Sequence, residues 1–193
     1  MLTLGILGSG SGSNMQAILD AITAGTLQAK ISMVLSDNPK ALILKRAASH
    51  GIPHAVIDCE GHKNKFPDSV QVETAEKLRQ AGVDLVCLAG FLRLVKAPLL
   101  DAFPSKIINI HPSLLPAFPG VAAWAQAVEA KAKETGVTVH VVDSGMDTGP
   151  VILQEKLEIL PHETADALHK RIQVIEHRIY PLAISEYAHS LKL

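Results

Sequence analysis

Apolar residues are distributed along the chain in two alternating patterns. Short continuous apolar runs are typical of strands buried on both faces of a sheet, and between them lie longer stretches with apolar residues at helical spacing. The runs predict strands at residues 2–7, 31–35, 55–57, 85–89 and 107–110. The intervening stretches predict helices at residues 14–24, 41–50 and 69–81, and a shorter helix within 91–103. This alternation indicates parallel βαβ units with right-handed crossovers.

The pattern changes in the last third of the chain. An alanine-rich helix is predicted at 126–133, strands at 137–142 and 151–160, and a long helix at 164–191 that Pro181 could break. Two strands without a helix between them predict an antiparallel hairpin. The predicted fold is therefore α/β and Rossmann-like: a mostly parallel sheet with helices on both faces, a C-terminal antiparallel hairpin and a long helix. One domain over residues 1–193 is expected, because no repeat or linker interrupts the pattern.

Composition and charge narrow the class of partner. The formal net charge is −1 and no basic stripe is present, so nucleic acid is not expected as a partner. No apolar run approaches the roughly 18 residues of a membrane span, and no leader precedes the first strand, so we expect neither a membrane nor a signal peptide. The two cysteines, Cys59 and Cys87, are far apart, and Cys87 is expected in the core. These features predict a reducing, cytoplasmic setting.

The first predicted strand is followed by a turn rich in glycine and serine, GSGSGSN at residues 8–14. A dinucleotide-binding GxGxxG pattern would need glycine where Ser13 stands, and the Gly-Lys-Ser/Thr of a P-loop is absent. The next helix directs free N–H groups and the positive end of its dipole at the turn. The turn therefore predicts a site for a small phosphate monoester, with a plain strand-to-helix turn as the alternative.

Two polar residues stand at the end of the fifth predicted strand, and two more follow the hairpin's first strand. Asn109 can hold a developing oxyanion through its amide, and His111 can act as acid or base near neutral pH. Asp143 and Asp147 lie in the glycine-rich DSGMDTG loop. A carboxylate beside His111 would raise the pKa of the imidazole and fix its orientation. Ligands of open α/β sheets bind where these side chains are expected, outside the carboxyl ends of the strands.

Simpler explanations exist for each of these residues. A histidine after a strand is commonly structural, and aspartates between glycines commonly form turns. A further alternative is a metal site built from His111, His140, Asp143 and Asp147. The sequence contains no HxH or HExxH spacing, so we expect no metal.

Five segments resemble, in order and spacing, one known family. They are GSGSN at 10–14, LAGFLR at 88–93, NIHPSLLPAFPG at 109–120, VDSGMDTGPVI at 142–152 and IEHRIYP at 175–181. Together they resemble the 10-formyltetrahydrofolate formyltransferases over nearly the whole chain, and the Gly/Ser/Asn loop narrows the resemblance to the branch that acts on glycinamide ribonucleotide. The resemblance implies the formyltransferase version of the Rossmann-like fold. It also implies an enzyme that moves the formyl group of 10-formyltetrahydrofolate, its co-substrate, to the amine of 5-phosphoribosylglycinamide in de novo purine biosynthesis.

The resemblance further implies roles for individual residues. It also implies that the enzyme needs no metal and is a monomer or homodimer. The implied catalytic residues are Asn109, His111 and Asp147. Protonated His111 and the amide of Asn109 would stabilise the oxyanion, and Asp147 would keep His111 charged. The implied ribonucleotide ligands are Gly12, Ser13 and Asn14 for the phosphate, and Glu176. The implied folate contacts are Leu92, Arg93, Leu94, Val95, Asn109 and Asp143, with Thr138 nearby.

The chain departs from the family pattern at two places. After residue 120 the family usually has a histidine-rich continuation, whereas this chain has VAAWAQA, which contains its only tryptophan, Trp124. The loop before the third helix lacks the family's folate-contacting arginine, for which Lys63 or Lys65 is at best a partial substitute.

Two alternative functions remain open at this point. One is a sister enzyme, namely a formyltetrahydrofolate hydrolase or a methionyl-tRNA or sugar formyltransferase. The hydrolase and the tRNA enzyme are expected to carry additional domains. The other is a non-catalytic folate- or nucleotide-binding protein, which the presence of Asn109, His111 and Asp147 disfavours.

Overall fold

The computed structural model describes residues 1–62 and 65–193. Within these ranges the order is β1 (Leu2–Leu7), α1 (Ser13–Thr23), β2 (Ala29–Ser36), α2 (Leu42–Ser49), β3 (His54–Val56), α3 (Asp68–Gln80), β4 (Leu85–Leu88), α4 (Ala97–Ala102), β5 (Ile107–His111), α5 (Ala123–Glu129), β6 (Glu134–Val141), β7 (Val151–Glu158) and α6 (Ala165–Ser190). The predicted α/β class is confirmed. No helix within the described ranges is both long enough and apolar enough to cross a membrane.

A single seven-stranded sheet, in the order β3-β2-β1-β4-β5-β6-β7, forms the centre of the described chain. The strands from β3 to β5 are parallel, β6 is antiparallel to β5, and β7 is antiparallel to β6. The predicted parallel sheet and C-terminal hairpin are therefore confirmed. Chain order reverses between β1 and β4, so the turns after these strands diverge. In open α/β sheets the crevice at such a switch point is where ligands bind.

Apolar side chains pack on both faces of the sheet. Helices α1, α2 and α6 cover one face, and α3 and α4 cover the other. All six residues of β1 are buried, which accounts for its uninterrupted apolar run. The hydroxyl of the fully buried Tyr180 in α6 donates to the carbonyl of Leu88 over 2.8 Å. The long C-terminal helix is therefore joined to the end of β4, beside the crevice.

Two predicted elements differ from the structure by three residues or more. Helix α5 occupies Ala123–Glu129 rather than 126–133. Strand β6 begins at Glu134 rather than at 137, because Thr135 and Gly136 pair with β7 although neither carries a large apolar side chain. A Cβ atom at Gly136 would lie 2.0 Å from the carbonyl oxygen of Glu155, so this glycine permits the close approach of β7.

The predicted break at Pro181 is also wrong, because α6 continues through the proline to Ser190. Pro181 lacks an N–H and removes one helical hydrogen bond. Its neighbours Tyr180 and Ala183 are both fully buried against the sheet. Packing of this face therefore holds the helix together across the missing bond.

Candidate active site

Segments from three parts of the chain surround a cleft beside the ends of β4 and β5. The free space in and in front of the cleft, open solvent included, is about 390 Å³. Its lining comes from the segment after β4, from β5 and β6, and from the loop between β6 and β7: Leu88, Phe91, Arg93, Leu94, Val95, Asn109, His140, Val142, Asp143, Gly145, Met146 and Asp147. The structure thus brings together most of the residues that the sequence predicts for folate and catalysis. Leu92 lies between two lining residues, Phe91 and Arg93, and the residue is 67% exposed.

Asn109 and His111 project from the same face of β5, because side chains two residues apart in a strand share a face. His111 is buried, and its Nδ1 lies 3.4 Å from Oδ2 of Asp147. The same oxygen accepts a hydrogen bond from the Gly120 N–H over 2.8 Å. Asp147 has a φ of 56°, in the left-handed region, so the loop turns sharply where the carboxylate reaches the imidazole.

The sequence indicates His140 only as part of the alternative metal site with His111, Asp143 and Asp147, and not as a partner of Asn109. Asn109 and His140 are register partners on β5 and β6, and Nδ2 of Asn109 lies 3.2 Å from Nε2 of His140. The same Nε2 lies 3.6 Å from Oδ1 of Asp147. The sequence gives no local signal for this arrangement, since His140 becomes significant only through the antiparallel register of two strands 31 residues apart. The alternation of apolar residues in β6 indicates only that Thr138 and His140 share one face of this strand.

Backbone carbonyls fix the protons of both imidazoles. Nε2 of His111 lies 2.8 Å from the carbonyl oxygen of Phe118, and Nδ1 of His140 lies 2.9 Å from that of Val141. Because a carbonyl can only accept, each of these nitrogens carries the proton of the neutral ring. Nδ1 of His111 and Nε2 of His140 face Asp147, and in the neutral ring Nε2 of His140 accepts from the Asn109 amide. When either of these two nitrogens binds a proton, it can donate to the Asp147 carboxylate, and this interaction lowers the pKa of Asp147.

The pKa of His111 is lowered, which corrects the expectation that Asp147 keeps this residue charged. Burial lowers the pKa most, the contact with the Phe118 carbonyl and the charge of Asp147 raise it less, and His140 lowers it further. For the Asp147 carboxyl, burial alone would raise the pKa, but the contacts to His140, the Gly120 N–H and His111 together lower it. In the ligand-free protein at neutral pH, His111 is therefore neutral and Asp147 is charged.

Thr138 supports the turn after β5 instead of lining the cleft. Its fully buried hydroxyl donates to the carbonyl of Ser113 over 2.7 Å and accepts from the Leu115 N–H over 3.1 Å. The amide of Gln154 also donates to it, over 2.8 Å. The hydroxyl holds the proline-rich turn that carries the carbonyl partner of His111.

The departure from the family pattern after residue 120 forms a stacked aromatic pair. The ring of Trp124 in α5 lies parallel to the imidazole of His169 in α6, with a centroid distance of 3.7 Å and an interplanar angle of 3°. Burial lowers the pKa of His169, and the charge of Asp166 partly opposes this. The pair fastens α5 to α6 close to the turn that ends at Gly120.

The predicted phosphate residues and Glu176 lie together. Gly12 has a φ of 74° and precedes α1, and a Cβ there would lie 2.8 Å from the backbone of Ile43, so glycine is required. Ser13 is the first residue of α1. Nδ2 of Asn14 donates to Oε2 of Glu176 over 3.2 Å, whereas Oδ1 of Asn14 has no hydrogen-bond partner in the described chain.

Glu176 is 6% exposed and has no cation among the partners that shift its pKa. Burial raises the pKa of its carboxyl to about 7, and the hydrogen bond from Asn14 opposes this. At neutral pH a large fraction of this carboxyl is therefore protonated and able to donate a hydrogen bond.

The side chains of Arg93 and Asp143, both predicted to contact folate, form hydrogen bonds with other groups of the protein. Nε of Arg93 donates to Asp37 over 2.6 Å, and one terminal nitrogen donates to the carbonyl of Lys65. Oδ1 of Asp143 accepts from the N–H of Gly145 and the hydroxyl of Thr148, which closes the loop. The predicted substitute Lys63 lies outside the described residues.

Comparison with known proteins gives consistent results. A sequence model of the formyl transferase family matches residues 3–184. The chain is 41% identical over 186 residues to the phosphoribosylglycinamide formyltransferase of Bacillus subtilis, a match that covers 96% of this chain and 94% of that protein. It is 44% identical to the trifunctional purine biosynthetic protein adenosine-3 of Drosophila melanogaster, over 93% of this chain and 13% of that protein.

Solved structures agree with the sequence matches. The crystal structure of glycinamide ribonucleotide transformylase 1 from Symbiobacterium toebii superposes with a TM-score of 0.94 at 46% identity, covering 98% of this chain and 89% of that chain. The corresponding enzyme from Geobacillus kaustophilus gives a TM-score of 0.90 at 44% identity, over 96% of this chain and 97% of that chain. The predicted fold and family are confirmed, and the chain belongs to the formyl transferase family.

Proposed function

We propose that this chain transfers the formyl group of 10-formyltetrahydrofolate to the amine of 5-phosphoribosylglycinamide, giving formylglycinamide ribonucleotide and tetrahydrofolate in de novo purine biosynthesis. One observation carries the proposal: Asn109, His111 and Asp147 form a connected cluster beside a cleft in a member of the formyl transferase family. We further propose that the enzyme is cytoplasmic, that its substrates are small molecules, and that it is a monomer or homodimer.

The ribonucleotide is proposed to bind at the start of α1. Free N–H groups and the positive end of the helix dipole favour its phosphate at Gly12, Ser13 and Asn14. Oδ1 of Asn14, which lacks a partner in the described chain, can accept from a ribose hydroxyl or from the glycinamide N–H. A protonated Glu176 can donate to the same substrate without placing a second negative charge beside the phosphate.

The folate co-substrate is proposed to enter the cleft. Leu94, Val95 and Val142 supply an apolar lining that suits a flat heteroaromatic ring. Backbone groups of the segment from Leu92 to Val95 and of the loop that begins at Asp143 are proposed to supply its hydrogen bonds.

The chemistry follows from the charge states of the cluster. As the amine nitrogen attacks the formyl carbon, the carbonyl becomes an oxyanion and the amine must lose a proton. One N–H of the Asn109 amide is directed at His140, and its second N–H is available to the oxyanion. Neutral His111 and charged Asp147 together can accept the proton and return it to the leaving folate nitrogen as its bond to the formyl carbon breaks. Holding both substrates in place supplies a further part of the rate enhancement.

An acceptor-dependence assay tests the proposal. Loss of the formyl group from 10-formyltetrahydrofolate is followed with glycinamide ribonucleotide, with methionyl-tRNA, and with no acceptor. Rapid deformylation is expected only with glycinamide ribonucleotide. An equal rate without any acceptor would indicate a hydrolase, and a preference for methionyl-tRNA would indicate the sister transferase.

A further inference from the structure

A buried ion pair lies behind the two proposed binding segments and has no role in the chemistry above. Nε of Arg93 lies 2.6 Å from Oδ2 of Asp37, and the two side chains are only 8% and 9% exposed. The second carboxylate oxygen accepts a hydrogen bond from the hydroxyl of Ser9 over 2.5 Å. The Ser9 hydroxyl in turn accepts from the N–H of Leu92 over 3.0 Å. Leu92 and Arg93 are consecutive, so these contacts form a closed ring.

The ring joins the turn after β1 to the segment after β4. Ser9 belongs to the turn that leads into the proposed phosphate residues, and Leu92 begins the segment proposed to face the folate. The two segments are also joined by a backbone hydrogen bond from Ser9 N–H to the Gly90 carbonyl over 3.0 Å. They are 83 residues apart in sequence, so the ring is a tertiary contact and not a local turn.

The guanidinium of Arg93 is occupied by protein groups. Besides Asp37, it donates to the carbonyls of His62 over 2.8 Å and Lys65 over 2.5 Å. Its planar fork therefore holds the backbone carbonyls of His62 and Lys65, and its charge is neutralised by Asp37. We expect Arg93 to orient the folate-facing segment through its backbone and not to bind a ligand carboxylate.

The hydroxyl of Ser9 links the two substrate-facing segments through a side chain, beside the backbone hydrogen bond from Ser9 to Gly90. It donates to one side of the ring and accepts from the other, so it holds the Leu92 amide at a fixed position relative to the turn before Gly12. A displacement of the turn therefore changes the position of the folate-facing backbone.

We propose that Ser9 is a positioning residue that couples the two substrate pockets, so that a ligand bound at the start of α1 pre-orders the segment from Leu92 to Val95. The proposal rests on the ligand assignments of the proposed function. It requires reciprocity: each ligand must raise the affinity for the other by the same factor.

Binding measurements without turnover test the coupling. The affinity for tetrahydrofolate is measured by calorimetry with and without saturating glycinamide ribonucleotide. Because tetrahydrofolate carries no formyl group, the complex with both ligands cannot react. In the wild type we expect the ribonucleotide to tighten tetrahydrofolate binding at least about fivefold, within the usual range of coupling. In Ser9→Ala we expect a factor below about twofold, because the side-chain link between the segments is removed while the backbone hydrogen bond to Gly90 remains. Ser32→Ala, in β2 and outside the ring, is the matched control and should keep the wild-type factor.

Kinetics separate positioning from simple loss of structure. Ser9→Ala should raise KM for both substrates. A purely structural role would reduce the folded fraction and lower apparent kcat while both KM values stayed unchanged. An unchanged coupling factor in Ser9→Ala, or a wild-type factor of one, overturns the proposal. A wild-type protein that binds neither ligand would instead overturn the proposed function.

A second measurement on the wild type needs no variant. The Leu92 amide donates to Ser9, so its hydrogen exchange reports the state of the ring. Addition of glycinamide ribonucleotide alone should slow exchange at Leu92. If bound ribonucleotide leaves the hydrogen-exchange rate of the Leu92 amide unchanged, the proposed coupling is contradicted.

Discussion

The buried carboxyl of Glu176 predicts a pH-dependent loss of stability that a single substitution removes. Burial raises its pKa from 4.5 to about 7, so the folded protein holds a proton that the unfolded chain has released. The stabilisation by this proton is fully present below pH 4.5 and is lost as pH rises through 7. At about 1.4 kcal/mol per pH unit, the wild type loses about 3 kcal/mol across this range.

Glu176→Gln tests this account, because glutamine has the size of the protonated acid, can also donate a hydrogen bond, and does not ionise. The free energy of unfolding is measured in urea at pH 5, 6, 7 and 8, without phosphate in the buffer. We expect the difference between variant and wild type to shift by about 2.5 kcal/mol in favour of the variant between pH 5 and pH 8.

The matched control is Glu186→Gln, which changes an exposed glutamate on the same helix. Its unfolding free energy should follow the wild type at every pH. Parallel pH curves for Glu176→Gln and the wild type would show that Glu176 is already ionised when buried. That result would remove the basis for its role as a hydrogen-bond donor to the substrate.

Three further predictions concern the catalytic cluster, the core and the aromatic pair. Asp147→Asn keeps an oxygen for the Gly120 N–H but removes the proton acceptor, so formyl-transfer assays should show a loss of about 10²–10⁴ in kcat with little change in urea stability; a variant with more than a tenth of wild-type turnover contradicts this. Tyr180→Phe removes a buried hydrogen bond to a strand carbonyl and should lower the free energy of unfolding by about 1–2 kcal/mol, and unchanged unfolding in urea would show that this bond contributes nothing. Protonation of His169 should quench its stacked neighbour Trp124 with a midpoint below pH 6.5, which a fluorescence titration measures; a midpoint at or above that value contradicts the lowered pKa.

Local sequence patterns were sufficient for the parallel part of the fold. The apolar run of β1 is fully buried, and glycine at position 12 is needed at the start of α1, so local chemistry and structure agree there. The start of β6 was missed because Gly136 is selected by the close approach of β7, a constraint that no apolar pattern reveals. The predicted break at Pro181 is wrong because tertiary packing, which the sequence pattern does not show, holds the helix together there.

The sequence predicts most of the residues that meet at the candidate site, but it does not predict the charge state of His111. Asn109, His111 and Asp147 were identified, whereas His140 joins them through strand register. The direction of the His111 pKa was wrong because burial, which the sequence does not contain, outweighs the neighbouring carboxylate. The internal use of Arg93 was likewise hidden, because its partner Asp37 is 56 residues away.

The hydrogen bond between Asn14 and Glu176 has a consequence for how the protein is made. These residues are 162 positions apart, and one side of the proposed ribonucleotide pocket belongs to α6. During synthesis the turn that precedes α1 emerges from the ribosome early, but the pocket does not exist until α6 has docked, after the chain has closed a loop of 162 residues. A ribonucleotide held between α1 and α6 joins the first helix to the C-terminal helix. Its binding therefore stabilises the whole sheet against unfolding, by an amount that grows with the logarithm of its concentration.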